Sequence, residues 1–578
     1  MIRKFMLYIN KYRKAVLLGC LCAALEAIFE LLIPLVMSYI VDVGIQNRDV
    51  AYTIKMGIFM VLLALIALGL GIGSARFSAV AGQGFGAELR KAQFDKIQTY
   101  SFKNIEKFNT ASLITRLTGD VNAMQMSVTI GMKLLVRAPI MLMCALIIAI
   151  SINAQLALVF IIVVPILGIS LYFILSRARA YFTYLQEKID HMNTTVQENL
   201  IGIRVVKSFV RQNFEKEKFK KSNEELMESS EKAFGLVVLN LPIMQLVMFC
   251  TIIAVLWFGG NMVYAGDLQV GKLVSFITYI SQILMSLMML SMIFMMLSRS
   301  TASGSRILEV LEEEPDIVDD KEHHGYQVEN GEVIFDHVSF KYEQDSEEYN
   351  LKDINLHIKS GQTIGILGGT GSGKTTLVQL IPRLYDVTKG RILVGGHDVR
   401  EYDLNTLRDG VAMVLQKNTL FSGTIKENLK WGNENATEEQ IEAASKIACV
   451  DEFIDRFPDR YDTLLEQGGT NVSGGQKQRL TIARAILKQP KVLILDDSTS
   501  AVDTATDAKI RQSFREKLKD TTKIIITQRI SSISDADQII VLDEGKISAI
   551  GKHEELMKSS EIYQDVYQSQ QEGVGFNA

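Results

Sequence analysis

Long apolar runs fill the first half of the chain, and short apolar strands alternate with turns in the second half. A helix needs about 20 mostly apolar residues to span a membrane. The candidate spans are about 16–41, 56–75, 138–152, 155–176, 235–259 and 273–297. The third is short and is joined to the fourth by only Ile152-Asn153-Ala154, which predicts a tight helical hairpin. We therefore predict an all-α, six-helix transmembrane domain at 1–307.

The first apolar run follows a basic N-terminus. A cleavable signal peptide has a shorter apolar region and a small-residue cleavage site. This run is longer and contains Glu26, Glu30 and Pro34. We predict that it is retained as the first span.

Lysine and arginine are distributed unequally among the loops. Segment 76–137 holds nine of them and segment 177–234 holds eleven, whereas the loops 43–54, 151–155 and 260–271 hold one between them. Positive residues collect on the cytoplasmic side of membrane proteins. Both termini and the two long loops are therefore predicted to be cytoplasmic.

The two long loops show helical periodicity over 84–128 and 178–232 and contain no proline there. Loops of this length without secondary structure are uncommon in folded domains. The spans are therefore predicted to continue as helices into the cytoplasm. Each extension is predicted to turn at its far end, near Lys103–Phe108 and near Val210–Phe214.

Composition narrows the class of protein further. The 578 residues are 48% hydrophobic and 22% charged, and the mean hydropathy is +0.17, as expected when a membrane part adjoins a soluble part. The net charge of −4 gives no support to nucleic-acid binding. Five cysteines do not form a disulfide framework in a chain of this size.

The composition changes near Leu308, where an acidic stretch containing Pro315 predicts a linker over 308–330. Alternating apolar strands and helical patterns then predict an α/β domain over 331–578. The predicted strands lie in GEVIFDHVSF, INLHI, TIGILGG, RILVGG, VAMVLQ, KVLILDD, TKIIITQ and QIIVLDEGKI.

The segment GGTGSGKT at 368–375 fits the phosphate-loop pattern G-x-x-x-x-G-K-[ST]. It follows an apolar strand and opens an apolar helical pattern, which is the required setting. The glycines allow backbone N–H groups to face phosphate oxygens. Lys374 is predicted to pair with the β- and γ-phosphates, and Thr375 to bind Mg²⁺. Asp496, at the end of the strand KVLILDD, suits the magnesium shell, although an acidic pair at a strand end is also an ordinary feature.

These motifs occur with others in the order found in ABC-transporter ATPases: Tyr342, GGTGSGKT, Gln416, VSGGQ at 472–476, LDD at 495–497, SAVD at 500–503 and Gln528. LRKAQFDKIQTYSF and LTGDV resemble the first cytoplasmic loop of ABC exporters, and ENLIGIRVVKSFVRQ resembles the second. GKHEELMKSSEIYQDVY resembles the end of their ATPase domains. Over essentially its whole length, the chain resembles one half of an ABC exporter, with a membrane domain fused ahead of a P-loop ABC ATPase.

The resemblance implies roles for single residues. Tyr342 would stack on adenine, Gln416 would sense the γ-phosphate and Mg²⁺, and Asp503 would lie at the seam of an ATPase dimer. The residues implied to hold the phosphates of ATP are Gly368, Gly369, Thr370, Gly371, Ser372, Gly373, Lys374, Thr375 and Thr376. The implied Mg²⁺ ligands are Thr375, Gln416 and Asp496. The signature residues Ser473, Gly474, Gly475 and Gln476 would cap ATP held by a partner subunit, because these ATPases pair head to tail.

Two positions depart from the family pattern. Asp497 stands where the hydrolytic glutamate normally follows the Walker B aspartate, and Gln528 stands where the switch histidine is normal. Together with Gln416, they make up the predicted catalytic group. Aspartate is one methylene shorter than glutamate, and a misplacement of about 1 Å can cost about 10²-fold in rate. Glutamine is neutral and cannot carry the charge of an imidazolium ion.

These departures favour a degenerate site that binds ATP but hydrolyses it poorly. The pattern resembles that of heterodimeric bacterial exporters, many of which are multidrug pumps. It predicts an obligate heterodimer whose other half-transporter keeps the glutamate and the histidine and has an altered signature. The alternative is an active homodimer that tolerates both changes.

Some residues in the spans are candidates for a substrate cavity. Glu26 and Glu30 lie one helical turn apart, and a charge at the bilayer centre costs about 2.5–3.5 kcal/mol. They are predicted to bind cationic amphiphiles, to lie near the outer end of the span or to pair with groups on other helices, while Lys133 and Arg137 are predicted to extend to the inner interface. Methionine forms adaptable apolar surfaces, so Met285, Met289 and Met292 are candidates for a drug-binding face, for ordinary helix packing or for lipid contact.

The resulting hypothesis is a subunit of an ATP-driven pump that exports amphipathic drugs or similar molecules across a bacterial cytoplasmic membrane. Within transport, the alternatives are a lipid flippase, a peptide exporter and an importer built on the exporter fold. A different class is an ATP-binding regulatory or sensory membrane subunit that does not pump.

Overall fold

The fold is seen in a computed structural model that describes residues 2–319, 325–343 and 346–575. The chain divides into two compact units. The helical unit comprises Met1–Gln98 and Thr110–Glu313, and the α/β unit comprises Thr99–Asn109 and Glu314–Ala578. The short segment Thr99–Asn109 therefore folds with the α/β unit, although it lies between helices of the first half in the sequence.

The helices of the first half follow one another with few breaks. They are α1 (Ile2–Ile9), α2 (Arg13–Tyr39), α3 (Val50–Gln98), α4 (Phe102–Phe108), α5 (Thr110–Thr115), α6 (Val121–Met126), α7 (Met132–Ile152), α8 (Ala154–Ile201), α9 (Ile203–Ser208), α10 (Gln212–Val238), α11 (Asn240–Ala265) and α12 (Val270–Glu312). Wider π-helical turns continue the helical path at Ile40–Ile45, Arg116–Asp120 and Ser127–Gly131.

Six helical stretches among the described residues are long and apolar enough to cross a membrane. They are Arg3–Ile45, Val50–Gln98, Thr110–Ile152, Ala154–Ile201, Gln212–Ala265 and Val270–Ile293. The six predicted apolar runs lie along these helices, and the last run continues in α12. The predicted six-helix, all-α transmembrane region is thus confirmed.

The predicted hairpin and helical extensions are also present. Asn153 is the residue between α7 and α8, and its side chain accepts a hydrogen bond from the Leu156 N–H at 3.0 Å. Helices α3 and α8 run for 49 and 48 residues, well past their apolar segments. At the two predicted turns, the structure has the short helix α4 and a bend around Val210, whose φ is +53°.

The α/β unit carries the strands. They are β1 (Val333–Phe340), β2 (Leu351–Ile358), β3 (Thr363–Gly368), β4 (Lys389–Val394), β5 (His397–Asp398), β6 (Val411–Val414), β7 (Gly423–Thr424), β8 (Leu464–Leu465), β9 (Val492–Asp496), β10 (Thr522–Ile526), β11 (Gln538–Asp543) and β12 (Lys546–Gly551). Its other helices are α13 (Lys374–Gln379), α14 (Leu404–Gly410), α15 (Ile425–Lys430), α16 (Glu438–Ile447), α17 (Asp451–Ile454), α18 (Gly474–Leu487), α19 (Thr504–Lys517), α20 (His553–Ser559) and α21 (Glu561–Gly575).

The strands form a six-stranded sheet in the order β12-β11-β3-β10-β9-β6 and a four-stranded sheet in the order β2-β1-β4-β5. Strands β11, β3, β10, β9 and β6 are parallel. Every residue of β9 is buried, as expected for a continuous apolar run inside a parallel sheet. Every predicted strand segment is present, and the last one forms two strands, β11 and β12. The predicted α/β class is confirmed.

The linker predicted at 308–330 begins inside a helix, since α12 continues to Glu312. Residues 320–324 of this linker lie outside the described part of the chain. The domain limits 1–307, 308–330 and 331–578 stay predictions.

Candidate functional site

Four parallel strands of the six-stranded sheet present their carboxyl ends at one edge. Strand β3 leads into the phosphate loop, β9 ends at Asp496, β10 leads to Gln528, and β6 leads to Gln416. The register pairs Ile526 of β10 with Asp496 on one side and with Ile366 of β3 on the other. The sheet thus gathers at one edge the groups that the sequence spreads over more than a hundred positions.

The phosphate loop has the backbone of an anion cradle. Gly371 and Gly373 have φ values of +84° and +95°, which favour glycine. A Cβ atom at Gly369 or Gly371 would meet nothing within 4 Å. The Ser372 hydroxyl is buried and has no hydrogen-bond partner in the protein. The loop thus has open space at Gly369 and Gly371 and an unbonded hydroxyl at Ser372. Both features suit the binding of a phosphate group by the loop backbone.

Lys374 supplies the positive charge of the loop. Its Nζ donates hydrogen bonds to the carbonyl oxygens of Gly368 and Gly369, at 2.9 and 2.7 Å. Burial lowers the pKa of Lys374, whereas Asp496 and Asp497 raise it. The ammonium group therefore lies at the mouth of the cradle, where a phosphate would replace the carbonyl oxygens as its partner.

The side chains that suit Mg²⁺ lie next to this loop. The Thr375 hydroxyl donates a hydrogen bond to the Asp496 carboxylate at 3.0 Å, and Asp496 is buried. Burial raises the pKa of Asp496, and the bond from Thr375 partly opposes this. A hydroxyl and a carboxylate are hard oxygen ligands of the kind Mg²⁺ prefers. The residues present therefore fit a magnesium nucleotide.

Asp497 directly follows Asp496 at the same edge, in a left-handed conformation with a φ of +46°. Its N–H donates to the carbonyl oxygen of Ile526 at 3.1 Å. Burial raises the pKa of the Asp497 carboxyl, against the effect of Arg529 and Lys374. The side chains of Gln416 and Gln528 are exposed at this edge. The three predicted catalytic residues thus follow strands that end at the same edge of the sheet as β3, and their roles stay predictions.

We expect Gly373→Ala to weaken ATP binding by tenfold or more. A Cβ there would lie 2.9 Å from Leu351 Cδ2 and 3.1 Å from the Asn350 carbonyl oxygen, so the loop would have to move. Gly396→Ala is the matched control, because Gly396 has a similar φ of +94° and nothing within 4 Å of its Cβ. Equilibrium binding of a fluorescent ATP analogue measures both. Equal losses would show that backbone strain, and not the shape of the cradle, is responsible.

The predicted signature begins helix α18. The Ser473 hydroxyl accepts from the Gln476 N–H at 3.3 Å, and the Gln476 side chain accepts from the Ser473 N–H at 2.8 Å, which forms a capping box. A Cβ at Gly475 would lie 2.9 Å from the carbonyl oxygen of Ala501. Glycine is therefore needed where the signature passes the SAVD segment.

The same two segments are joined by a buried glutamine. Gln478 donates to the Ser500 hydroxyl at 3.3 Å and accepts from the Ala501 N–H at 2.9 Å. Asp503 begins α19 and accepts from the Thr506 N–H at 2.9 Å, and this bond lowers the pKa of Asp503. The helix that begins at the predicted signature is therefore hydrogen-bonded to the SAVD segment, and the predicted dimer-seam residue Asp503 ends that segment.

Tyr342 lies in an aromatic group beside helix α13. Its hydroxyl is 3.0 Å from the Thr376 hydroxyl, and its ring meets Tyr385 edge-on with centroids 5.2 Å apart. The Tyr385 hydroxyl donates to Glu106 of α4 at 3.0 Å, and the Phe102 ring lies 6.2 Å from the Tyr385 ring. Helix α4 therefore contacts the aromatic group that also contains the residue predicted to stack on adenine.

Within the helical unit, Glu26 and Glu30 are both paired with Arg137. The Arg137 guanidinium donates to Glu26 and, at 2.5 Å, to Glu30, while Lys133 Nζ lies 3.4 Å from Glu26. Arg137 is held against α2 by both carboxylates and Lys133 lies beside Glu26, while the prediction that these two cations extend to the inner interface stays a prediction. The alternative of pairing with groups on another helix describes the geometry, and a role in binding substrate stays a prediction.

The predicted methionine face is partly accessible in this chain. The side chains of Met285 and Met292 are exposed, and Met289 is half-buried. An exposed methionine surface in a membrane helix is compatible with lipid, a partner helix or a substrate.

Sequence motifs did not identify Gln478, Arg529, Tyr385 or Gln570. These residues act through hydrogen bonds to backbone groups or to side chains far away in the sequence. Motif searches depend on fixed spacing between nearby residues, so they do not detect contacts between residues that are distant in the sequence.

Comparison with protein families gives two matches. The profile of the ABC transporter transmembrane region matches residues 16–287, and the profile of the ABC transporter matches residues 351–500. The uncharacterised ABC transporter ATP-binding protein YfiB of Bacillus subtilis (strain 168) is 38% identical over 545 residues, which is 94% of either chain.

Two further relatives have more specific names. YgaD of Bacillus subtilis (strain 168), provisionally named a multidrug export ATP-binding/permease protein, is 31% identical over 98% of both chains. An ATP-dependent lipid A-core flippase of Syntrophus aciditrophicus (strain SB) is 32% identical over 91% of this chain and 86% of its own. Among solved structures, a bacterial Atm1-family ABC exporter with ATP bound has a TM-score of 0.78 at 24% identity, covering 96% of this chain and 98% of that one. This likeness shows a shared fold.

Proposed function

Because this chain belongs to the ABC transporter family and carries an exporter membrane region and an ATPase region in one polypeptide, we propose that it is the degenerate-site subunit of a heterodimeric export pump. The observation that carries the proposal is the residue after Asp496. Asp497 occupies the position of the hydrolytic carboxylate with a side chain one methylene shorter than glutamate, and neutral Gln528 occupies the switch position.

In this proposal the site binds Mg²⁺-ATP through residues that lie together. Lys374 pairs with the phosphates, and Thr375 and Asp496 hold the metal, with Gln416 at the next strand end. Bound Mg²⁺ neutralises charge on the phosphate oxygens. Tyr342 provides the adenine surface. The same site retains its nucleotide, because the Asp497 carboxylate falls short of the attacking water.

The other half of the pump supplies the active site. The intact signature at Ser473, Gly474 and Gly475 caps ATP on a second half-transporter that keeps a glutamate and a histidine. ATP hydrolysis at the partner's site and ATP binding at this chain's site together drive the membrane helices between inward-facing and outward-facing arrangements. Helix α4, which follows the membrane helix α3 in the chain and contacts Tyr385, is proposed to transmit the motion of the ATPase.

The test compares ATP hydrolysis by the purified chain alone with hydrolysis by the chain plus its partner. We expect little activity alone and strong activity for the pair. Changing the partner's glutamate to glutamine should abolish most of that activity, whereas Asp497→Ala should largely preserve it. Strong, substrate-stimulated hydrolysis by the chain alone would contradict the proposal and indicate a homodimeric pump.

The proposed substrates are amphipathic molecules, with drugs as the leading class. The support is the multidrug-export name of YgaD and the accessible methionines of α12. The flippase among the relatives makes a lipid the second candidate, since a lipid is also amphipathic. The distribution of lysine and arginine supports an orientation with both termini in the cytoplasm. The cytoplasmic membrane is proposed by analogy with bacterial ABC exporters.

A further inference from the structure

The last helix of the chain contacts the loop that follows β10. The Gln570 side chain donates from Nε2 to the carbonyl oxygen of Gln528 at 2.6 Å. Its Oε1 accepts from the N–H of Ile530 at 3.0 Å. One amide side chain thus satisfies a backbone acceptor and a backbone donor on either side of Arg529. Such a two-point bond restrains both the position and the orientation of the loop.

The first turn of helix α21 is fixed by contacts with α20. Tyr563 is fully buried, and its hydroxyl lies 2.8 Å from His553 Nδ1. Gln564 donates to the carbonyl oxygen of Met557 in α20 at 2.8 Å. Gln570 lies two helical turns beyond Tyr563 and therefore on the same face of the helix. The helix is a fixed support from which Gln570 reaches the loop.

The loop after β10 lies beside two other parts of the candidate nucleotide site, the SAVD segment and Asp497. It carries Gln528, and the Arg529 guanidinium donates to the carbonyl oxygens of Ser500 and Val502 at 3.1 and 3.3 Å. Arg529 also lies close enough to Asp497 to oppose the effect of burial on that carboxyl. Movement of the loop would therefore shift Gln528, the SAVD segment and the surroundings of Asp497 together.

We propose that Gln570 is a positioning residue that holds the loop of Gln528 in place for the nucleotide. Its side chain fixes the backbone on both sides of Arg529, so that Gln528 faces the γ-phosphate position while Arg529 stays on the SAVD segment. The inference rests on Gln528 being the switch residue of the site proposed above. It does not require that the site hydrolyse ATP poorly.

The test uses the full-length chain in lipid nanodiscs with Mg²⁺ and a fluorescent ATP analogue. Gln570→Ala removes two ordinary hydrogen bonds. Together they shift the equilibrium between the docked and the released loop by about tenfold or more. Gln570→Ala should therefore increase hydrogen exchange at the Ile530 amide about tenfold and speed release of the analogue by a similar factor. Gln570→Glu should give a smaller increase in exchange, because its carboxylate still accepts from Ile530 but cannot donate to Gln528.

Two glutamines of the same helix serve as controls. Among the described residues, the Gln571 side chain donates to the Tyr567 hydroxyl within α21 and not to the loop, so Gln571→Ala should behave like the wild type. Gln564→Ala weakens the docking of α21 without touching the loop. If Gln564→Ala speeds release as much as Gln570→Ala while exchange at the Ile530 amide stays at the wild-type rate, the effect is one of helix packing and the proposal is overturned. Faster exchange with unchanged release also overturns it.

These outcomes are separate from the fate of the heterodimer proposal. Robust hydrolysis by the chain alone would contradict a degenerate site, yet the exchange at Ile530 and the release of nucleotide would still report on Gln570.

Discussion

Replacing Asp497 with glutamate and Gln528 with histidine together is expected to raise ATP hydrolysis at this chain's own site about 10²-fold. The longer carboxylate restores the reach to the attacking water. A histidine can donate a charged hydrogen bond to the γ-phosphate, which a glutamine cannot. No other residue at this edge is changed, because Lys374 and the Thr375–Asp496 pair are the groups that would hold a magnesium nucleotide.

ATP hydrolysis is measured for the heterodimer in which the partner subunit carries glutamine in place of its hydrolytic glutamate. The partner's site is then inactive, so hydrolysis reports on the glutamate introduced at position 497. Asp520→Glu is the matched control, because it adds the same methylene at an exposed turn of the same unit. If the double variant hydrolyses no faster than the parent pair, side-chain reach at Asp497 does not limit the site, and the degenerate-site proposal loses its main support.

Arg137→Met is expected to destabilise the helical unit by somewhat less than the cost of about 3–5 kcal/mol for removing one partner from a fully buried ion pair, because these side chains are part-buried. Arg137 is 17% exposed and neutralises both Glu26, at 12%, and Glu30, at 38%. Without the guanidinium, Glu30 loses its ion pair with Arg137 and Glu26 keeps the longer contact with Lys133. A Cβ atom added at Gly71 of α3 would lie 3.1 Å from Glu26 Oε1, so α3 passes close to this carboxylate.

Unfolding can be followed with a thiol-reactive dye, since Cys20, Cys22 and Cys144 are half-buried in the membrane helices. Lys133→Met is the graded control and should lower the melting temperature much less, because Lys133 makes one longer contact with Glu26. Adding Glu26→Gln and Glu30→Gln to Arg137→Met should restore most of the stability. Equal losses for the Lys133 and Arg137 variants would show that Arg137 is not the central charge.

The phosphate loop and the two departures from the family pattern could be recognised from the sequence because each is a contiguous motif with a fixed chemical demand. The pairing of Glu26 and Glu30 could not. The partner of Glu26 lies 111 residues away on another helix, and helical periodicity says which face a residue occupies but not what that face meets. The sequence left substrate binding and structural pairing open, and the fold supplied the paired cation.

The role of Gln570 shows the same limit at the nucleotide site. Its two bonds go to backbone atoms of residues about forty positions earlier. Every residue type offers the same backbone carbonyl group, and nearly every type the same N–H group, so the sequence at those positions does not reveal the contact. The contacts of Glu106 and Phe102 with Tyr385 are likewise invisible to pattern analysis, because α4 belongs to the first half of the sequence and folds with the α/β unit.

By itself, the sequence determined the six apolar helices, the α/β region behind them and the phosphate loop, because hydrophobic period, helix length and glycine spacing are local properties of the chain. Only the tertiary structure decided how the strand ends of β3, β6, β9 and β10 meet at one edge and which cation neutralises the acids of α2. It also decided which side chain holds the loop of Gln528. Those outcomes depend on strand order and on the packing of distant segments, which become defined when the chain folds.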